Sequence, residues 1–164
     1  VGNKPGKVLT DPLAATIAEC MGYKTGFVKM EEFFKIYQDA AWHKNTTAMI
    51  SLYDKHAVIF DMWDQGYTSN ATEWEKAIIH WLDGLGEEKV KVEFEAIKSH
   101  QSGNVGFASA LIQFQAMSGD GTVLRSMKNR ITLGFSKSEE GWKVVHQHTS
   151  APIDSNELTA ILAI

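Results

Sequence analysis

Asp61 stands inside AVIFDMW, residues 57–63, a run that is otherwise aromatic and apolar. Burying a carboxylate costs several kcal/mol unless it is hydrogen-bonded or shares a proton, so an acid in this run needs a reason. A carboxyl group in a partly apolar pocket gains basicity, which suits a general base working near neutral pH. Strand alternation places Asp61 on the side of Ile59 and Trp63. Tyr37, on an earlier helical stretch, is the phenol of the sharpest candidate pair, and the pair predicts acid–base chemistry on a small apolar carbonyl compound with Asp61 as base. The plainer reading makes Tyr37 a core residue and Asp61 a structural carboxylate. Arg130 is then its natural partner, because arginine stays charged and a pocket-facing one needs an acid. Such a pair would make Asp61 a weaker base. Arg130 could instead hold a ligand carboxylate through its planar fork.

The stretch GWKVVHQHTS, residues 141–150, offers a second candidate. Strict alternation puts Trp142, Val144, His146, His148 and Ser150 on one face, with Gln147 and Thr149 on the other. His-x-His on a strand can hold a metal only with a third and fourth ligand, and no acid or cysteine has that spacing. Ser150 lacks an orienting acid and an oxyanion hole. No metal and no cofactor are expected, and the histidines read as structural, bonding across the sheet or at a subunit contact. Trp74 and Trp81 read as core or pocket wall, and Trp63, Trp74 and Arg130 are the candidate ligand contacts that the residues alone suggest.

The remaining composition narrows the function classes. The 164 residues carry 16 Lys and Arg against 20 Asp and Glu, with no basic patch, so a nucleic-acid partner is not expected. No apolar run approaches the ~18 residues of a membrane span. A single cysteine, Cys20, rules out an internal disulfide and leans toward the cytoplasm. The first residue is Val1, which leaves a removed leader open and the location unassigned.

The elements that position these residues fall into two halves. Residues 1–28 form a lead-in, with a short helix opened by Asp11-Pro12 and stopped by Gly22. A longer helix runs from about Lys29 to Lys44 on the stripe Met30, Phe33, Phe34, Tyr37 and Ala41. After the strand that holds Asp61, Asn70-Ala-Thr-Glu73 has the form of a capping box for a third helix. The period then changes from 3.6 to 2. Val90, Val92, Phe94 and Ala96 share one face; residues 104–117 are apolar on both faces; strands over 122–135 and 142–150 follow. The tail, 154–164, could add one apolar helical turn. Helices followed by long strands predict one α+β domain with helices over the concave face of a curved antiparallel sheet. Two or three helices cannot fill such a concavity, and the space left is a cone-shaped pocket.

IFDMWDQG at 59–66, Arg130 within NRITL, and WKVVHQHTSAP at 142–152 resemble the nuclear transport factor 2-like superfamily, whose cystatin-like cone matches this architecture. The chain is most similar to its SnoaL-like branch and to the association (hub) domain of calcium/calmodulin-dependent protein kinase II, over residues 29–153. The resemblance implies Gln147 and Thr149 inside the cone and both histidines outside. It also implies a homodimer or higher homo-oligomer and a small apolar or weakly acidic ligand. The Tyr37–Asp61 spacing resembles ketosteroid isomerase, in which a tyrosine stabilises the enolate and an aspartate shuttles the proton; that enzyme's second, protonated acid has no counterpart among Met127, Asn129 and Ile131. The hub's other basic pocket positions fall near Glu75, at Ile112 and at Thr149, so its anion site is not reproduced. The superfold hosts enzymes, binders and scaffolds, so two readings stand: a binding module of unassigned ligand, or an isomerase or cyclase.

Overall fold

The computed structural model describes residues 27–64 and 66–163. The expected lead-in and first short helix, with Cys20, lie outside the described residues. Helix α1, Glu32–Trp42, buries Phe33, Phe34, Tyr37, Ala40 and Ala41, the stripe that its period predicts. Lys44, at φ 52°, turns the chain into a short α2, Thr46–Ser51. Asn45 caps α2 by accepting from Ala48 N at 3.0 Å. Six residues are too few to show a period, so α2 left no separate trace in the sequence pattern. Strand β1, Tyr53–Phe60, leads by way of a tight reversal to α3, Ala71–Gly84. Asn70 accepts from Glu73 N at 3.0 Å, as the capping motif predicts.

Four long strands follow: β2 Lys89–Ser102, β3 Val105–Met117, β4 Val123–Ser138 and β5 Gly141–Ser150. They form an antiparallel meander in which β5 pairs with β4 as expected. The sheet order is β1-β5-β4-β3-β2, and β1 lies parallel to β5. That one parallel pair departs from an all-antiparallel sheet. A parallel neighbour needs a long crossover, and α3 with the meander supplies it.

Two bulges set the curvature and decide which side chains point inward. In β2 the register breaks between Glu95 and Lys98, with Ala96 at φ 52°. Val90 and Val92 are buried, but Ala96 and the rest of the strand are exposed, so the alternation read through Ala96 ends at the bulge. In β5 Val144 faces Phe135 and His146 faces Gly134, leaving Val145 as the extra residue. The parity flips there. Trp142 and Val144 are buried, and so are Gln147 and Thr149, while His146 and His148 stand on the convex face. A side chain on Gly134 would bring a carbon within 3.3 Å of His146 Cβ, so glycine suits this crowded position.

The helices cover the concave face, α1 packing on β2 and α3 on β1. Between them lies a core built from Ala108, Ile112, Ile131, Leu133 and Phe135 of the sheet with Phe33 and Tyr37 of α1. The tail is not a helical turn. It folds into a small hairpin in which Ile153 bridges Ala160 and Asp154 caps Asn156 N and Glu157 N at 2.8 and 2.9 Å. Leu162 O accepts from Lys128 N at 2.7 Å, occupying the edge of β4 that β5 leaves open past Ser150. Among the described residues, no helix is long and apolar enough to cross a membrane.

Candidate functional site

Strand β1 stops at Phe60, one residue short of Asp61. Ile59 and Thr68 exchange backbone hydrogen bonds at 2.8 and 2.9 Å, and Asp61 N donates to Gly66 O at 3.1 Å. This reversal needs Gly66 at φ 69°, where a Cβ would also press on Asp61 O at 3.1 Å. The turn fixes Asp61 beside the end of β5. Its Oδ1 accepts from the Thr149 hydroxyl at 2.8 Å and from Met62 N at 2.8 Å. Met62 N also lies 3.0 Å from Thr149 Oγ1. The expectation that alternation carries Trp63 to the same side fails because the strand has ended: Trp63 is 47% exposed, outside the cone.

Tyr37 and Tyr53 are both buried. Tyr37 packs between Phe33 and Phe94, ring centroids 5.5 and 5.8 Å away. Tyr53 donates its hydroxyl proton to Gln147 Oε1 at 2.7 Å. Burial pushes the Tyr37 hydroxyl up from its ordinary value, and the negative charge of Asp61 adds to it. Burial likewise pushes Tyr53 up, followed by Tyr37; the Trp74 indole lowers it, short of a formed hydrogen bond, and Asp61 raises it further. Both phenols are therefore neutral donors near neutral pH. Asp61, Tyr37, Gln147 and Thr149 come together as one polar neighbourhood, joined by Tyr53.

The buried polar side chains among the described residues are Asn129, Gln147 and Thr149, all on the inner face of β4 and β5. Asn129 Nδ2 contacts Met62 Sδ at 2.9 Å, and its Oδ1 has no partner. On α3, Trp74 stands edge-on to Tyr53 at 5.7 Å and Trp81 edge-on to Phe114 at 5.9 Å. Trp74 Nε1 is buried without a hydrogen-bond partner. Close backbone approach of α3 is mainly to α2 and β1, and its two indoles reach the sheet through Tyr53 and Phe114.

Arg130 does not join this neighbourhood. On β4 the buried side chains are Asn129, Ile131, Leu133 and Phe135, which turns Arg130 to the convex face, where it is exposed. Among the described residues the ion pairs do not include Asp61 or Arg130, so both the proposed salt bridge and the carboxylate fork inside the pocket are withdrawn. His146 and His148 instead stand edge-on to Phe60 at 5.2 and 5.9 Å. No cluster of metal ligands occurs among the described residues. An open groove of about 570 Å³ lies between α2 and the Glu75–Ile79–Asp83 stripe of α3, and none of the residues above lines it.

Tyr53 and Asn129 are the two site residues that the sequence reading left out. Asn129 shares its parity with Ile131 and Leu133, and extending that alternation by one step would have found it; Tyr53 lies two steps before Ala57, past the exposed Lys55 and a register break, so no simple alternation reaches it.

The model of the SnoaL-like domain family matches residues 30–154. The chain belongs to this family. No curated protein matches it. Among solved structures, a nuclear transport factor 2-like protein of unknown function from Pseudomonas putida KT2440 has a TM-score of 0.72 and 19% identity, covering 91% of this chain and 96% of that one. A putative calcium/calmodulin-dependent protein kinase II association domain from Xanthomonas campestris has a TM-score of 0.61 and 16% identity, over 73% and 82% of the two chains. The beta subunit of the benzoate 1,2-dioxygenase from Burkholderia mallei has a TM-score of 0.62 and 14% identity, over 75% and 90%. These likenesses extend the SnoaL-like assignment to the nuclear transport factor 2-like, cystatin-like fold and carry no activity with them.

Proposed function

We propose that this SnoaL-like domain binds a small, largely apolar molecule between the inner face of its sheet and α3. The observation that carries the reading is the placement of Asn129, Gln147 and Thr149. Buried polar side chains are costly in a core and useful in a pocket, and here all of them share one face. Acetophenone, a neutral ketone, tests the reading by NMR titration. Amide shifts are expected at Gln147, Thr149 and Asn129 and at the Trp74 indole N–H. Shifts confined to the convex face or to the α2–α3 groove would overturn it.

One observation favours a second reading, acid–base catalysis with Asp61 as base and Tyr37 as donor. Asp61 has no ion-pair partner among the described residues, one of its oxygens is held by Thr149 and Met62, and two neutral phenols lie within reach of its charge. The Thr149 and Met62 donors are both neutral and both meet Oδ1.

The convex face supports a homodimer as the working unit. Phe60, Val105 and Phe107 are each more than 40% exposed, and a second copy laid on this face would cover them. The structural likeness to proteins named as an association domain and as a subunit points the same way. Light scattering at micromolar concentration is expected to give twice the chain mass of 18.2 kDa. A monomer at that concentration would remove the dimer from the proposal.

A further inference from the structure

Two buried polar atoms in this neighbourhood lack partners, and they differ in kind. Trp74 Nε1 is a donor only; Asn129 Oδ1 is an acceptor. An unpaired buried group of either sort costs about 1–3 kcal/mol, so most folded proteins pair it or use it. Asn129 is 2% exposed and cannot turn to solvent for relief. The Asn129 amide is held on its other side only by a thioether, a weak acceptor. The two atoms border the polar neighbourhood through different residues. Trp74 lies beside Tyr53, whose own proton goes to Gln147, and Asn129 lies beside Met62, whose amide meets Thr149 and Asp61.

We infer that Trp74 and Asn129 are a two-point clamp for an uncharged hydroxyketone, the indole N–H donating to its carbonyl oxygen and the Asn129 carboxamide receiving its hydroxyl. The inference rests on the pocket reading above. A hydroxyl both donates and accepts, so it satisfies the carboxamide in either orientation of its nitrogen and oxygen. Anions are disfavoured. Asp61 supplies a negative charge, Arg130 faces the other way, and among the described residues no lysine or arginine is buried on the inner face. The apolar remainder of such a ligand meets Trp81 and Phe114, which already pack edge-on.

Four probes of similar size separate the possibilities: ethylbenzene, acetophenone, 4-hydroxyacetophenone and 4-hydroxybenzoate, each titrated by calorimetry or NMR. The wild-type chain is expected to bind 4-hydroxyacetophenone about 3- to 10-fold more tightly than acetophenone, the ratio of one added neutral hydrogen bond, and 4-hydroxybenzoate most weakly of the oxygenated probes. Asn129→Leu should abolish the preference for the hydroxyl, bringing the ratio of the two ketones' affinities to about one. Trp74→Phe should weaken both ketones about 3- to 10-fold more than it weakens ethylbenzene. If Asn129→Leu does not fold, Asn129→Thr removes the carboxamide and keeps a polar group, and its preference for the hydroxyl should fall. Equal binding of the two ketones at the inner face, or loss of ethylbenzene in step with the ketones in either variant, overturns the clamp and leaves the pocket. Failure of every probe to bind removes both.

Discussion

Asp61→Asn is expected to slow proton exchange at the methyl group of acetophenone by about 10²–10⁴-fold, the usual contribution of a positioned general base. The measurement is deuterium uptake from D₂O followed by NMR, with protein against buffer as the baseline. On the acid–base reading, Asp61 would take a proton from the carbon next to the carbonyl, leaving an enolate; the Asp61 carboxyl would exchange that proton for a deuteron from solvent, and the deuteron would pass to the carbon. Asparagine keeps the shape of aspartate, and its carbonyl oxygen can still accept from Thr149 Oγ1 and Met62 N, which both reach Oδ1 at 2.8 Å. Acetophenone affinity should therefore change by less than about threefold. Stability should fall by only about 1 kcal/mol, the difference between a charge-assisted hydrogen bond and a neutral one. A buried ion pair would behave otherwise, costing about 3–5 kcal/mol when one member is removed. The same variant thus separates three outcomes. Slow exchange with near-normal melting supports Asp61 as base. Absence of exchange in the wild type, with acetophenone still bound, leaves a binding module. A large melting loss without wild-type exchange retires the catalytic reading altogether.

The phenols bear on how such activity would depend on pH. Tyr37 and Tyr53 are both held above the ordinary tyrosine value of 10.0. An acid whose folded value is raised keeps its proton to higher pH, so neither hydroxyl loses its donor role as pH climbs from neutrality toward 10. The sign for stability follows: the folded state favours the neutral phenols, and that advantage shrinks only above the unfolded value.

The architecture was legible because period and punctuation speak directly to backbone geometry. The stripe from Phe33 to Ala41, the Asn70 cap and the alternation from Val90 to Phe94 each reappear as the structure's own α1, α3 and β2. The site was legible only in part, and bulges are the reason. A side-chain period of 2 holds until one extra residue enters the strand, and every later residue then changes face. Val145 is that residue in β5, which is why counting from Trp142 groups His146 with it on one face while the resemblance puts Gln147 and Thr149 inside. Arg130 fails differently. Its strand runs without a break from Asn129 to Leu133, so parity with the buried Ile131 already placed it outside. The attraction of a charge for Asp61 was given more weight than the geometry that forbids the meeting. Trp63 was misplaced because no residue in IFDMWDQG marks the end of the strand before Gly66. The orphaned indole and carboxamide could not have been found from sequence, since a missing hydrogen bond is a property of three-dimensional surroundings.

Phe33→Ala should cost about 3–5 kcal/mol of stability and lower the melting temperature by about 6–20 °C. Phe33 is completely buried, and six other rings lie within 6.5 Å of its own: Phe27, Phe34, Tyr37, Tyr53, Phe94 and Phe135. These rings come from α1, from β1, β2 and β4, and from the segment before α1, so one side chain ties the helix to both halves of the sheet. Removing it leaves a cavity walled by rigid rings, which collapse poorly, and places the loss toward the upper end of that range. The consequence reaches the site because Tyr37 and Tyr53 both lean on this ring, at 5.5 and 6.5 Å. Phe33→Leu fills most of the volume and should cost less than half as much, while still loosening the two phenols. Acetophenone binding is then expected to weaken more in Phe33→Ala than in Phe33→Leu, at a temperature where both are folded. Calorimetric melts and one titration series decide it. If Phe33→Ala melts within a few degrees of the wild type, the aromatic cluster is not the anchor of α1. If it melts early yet binds acetophenone unchanged, the ligand does not depend on where Tyr37 and Tyr53 are held.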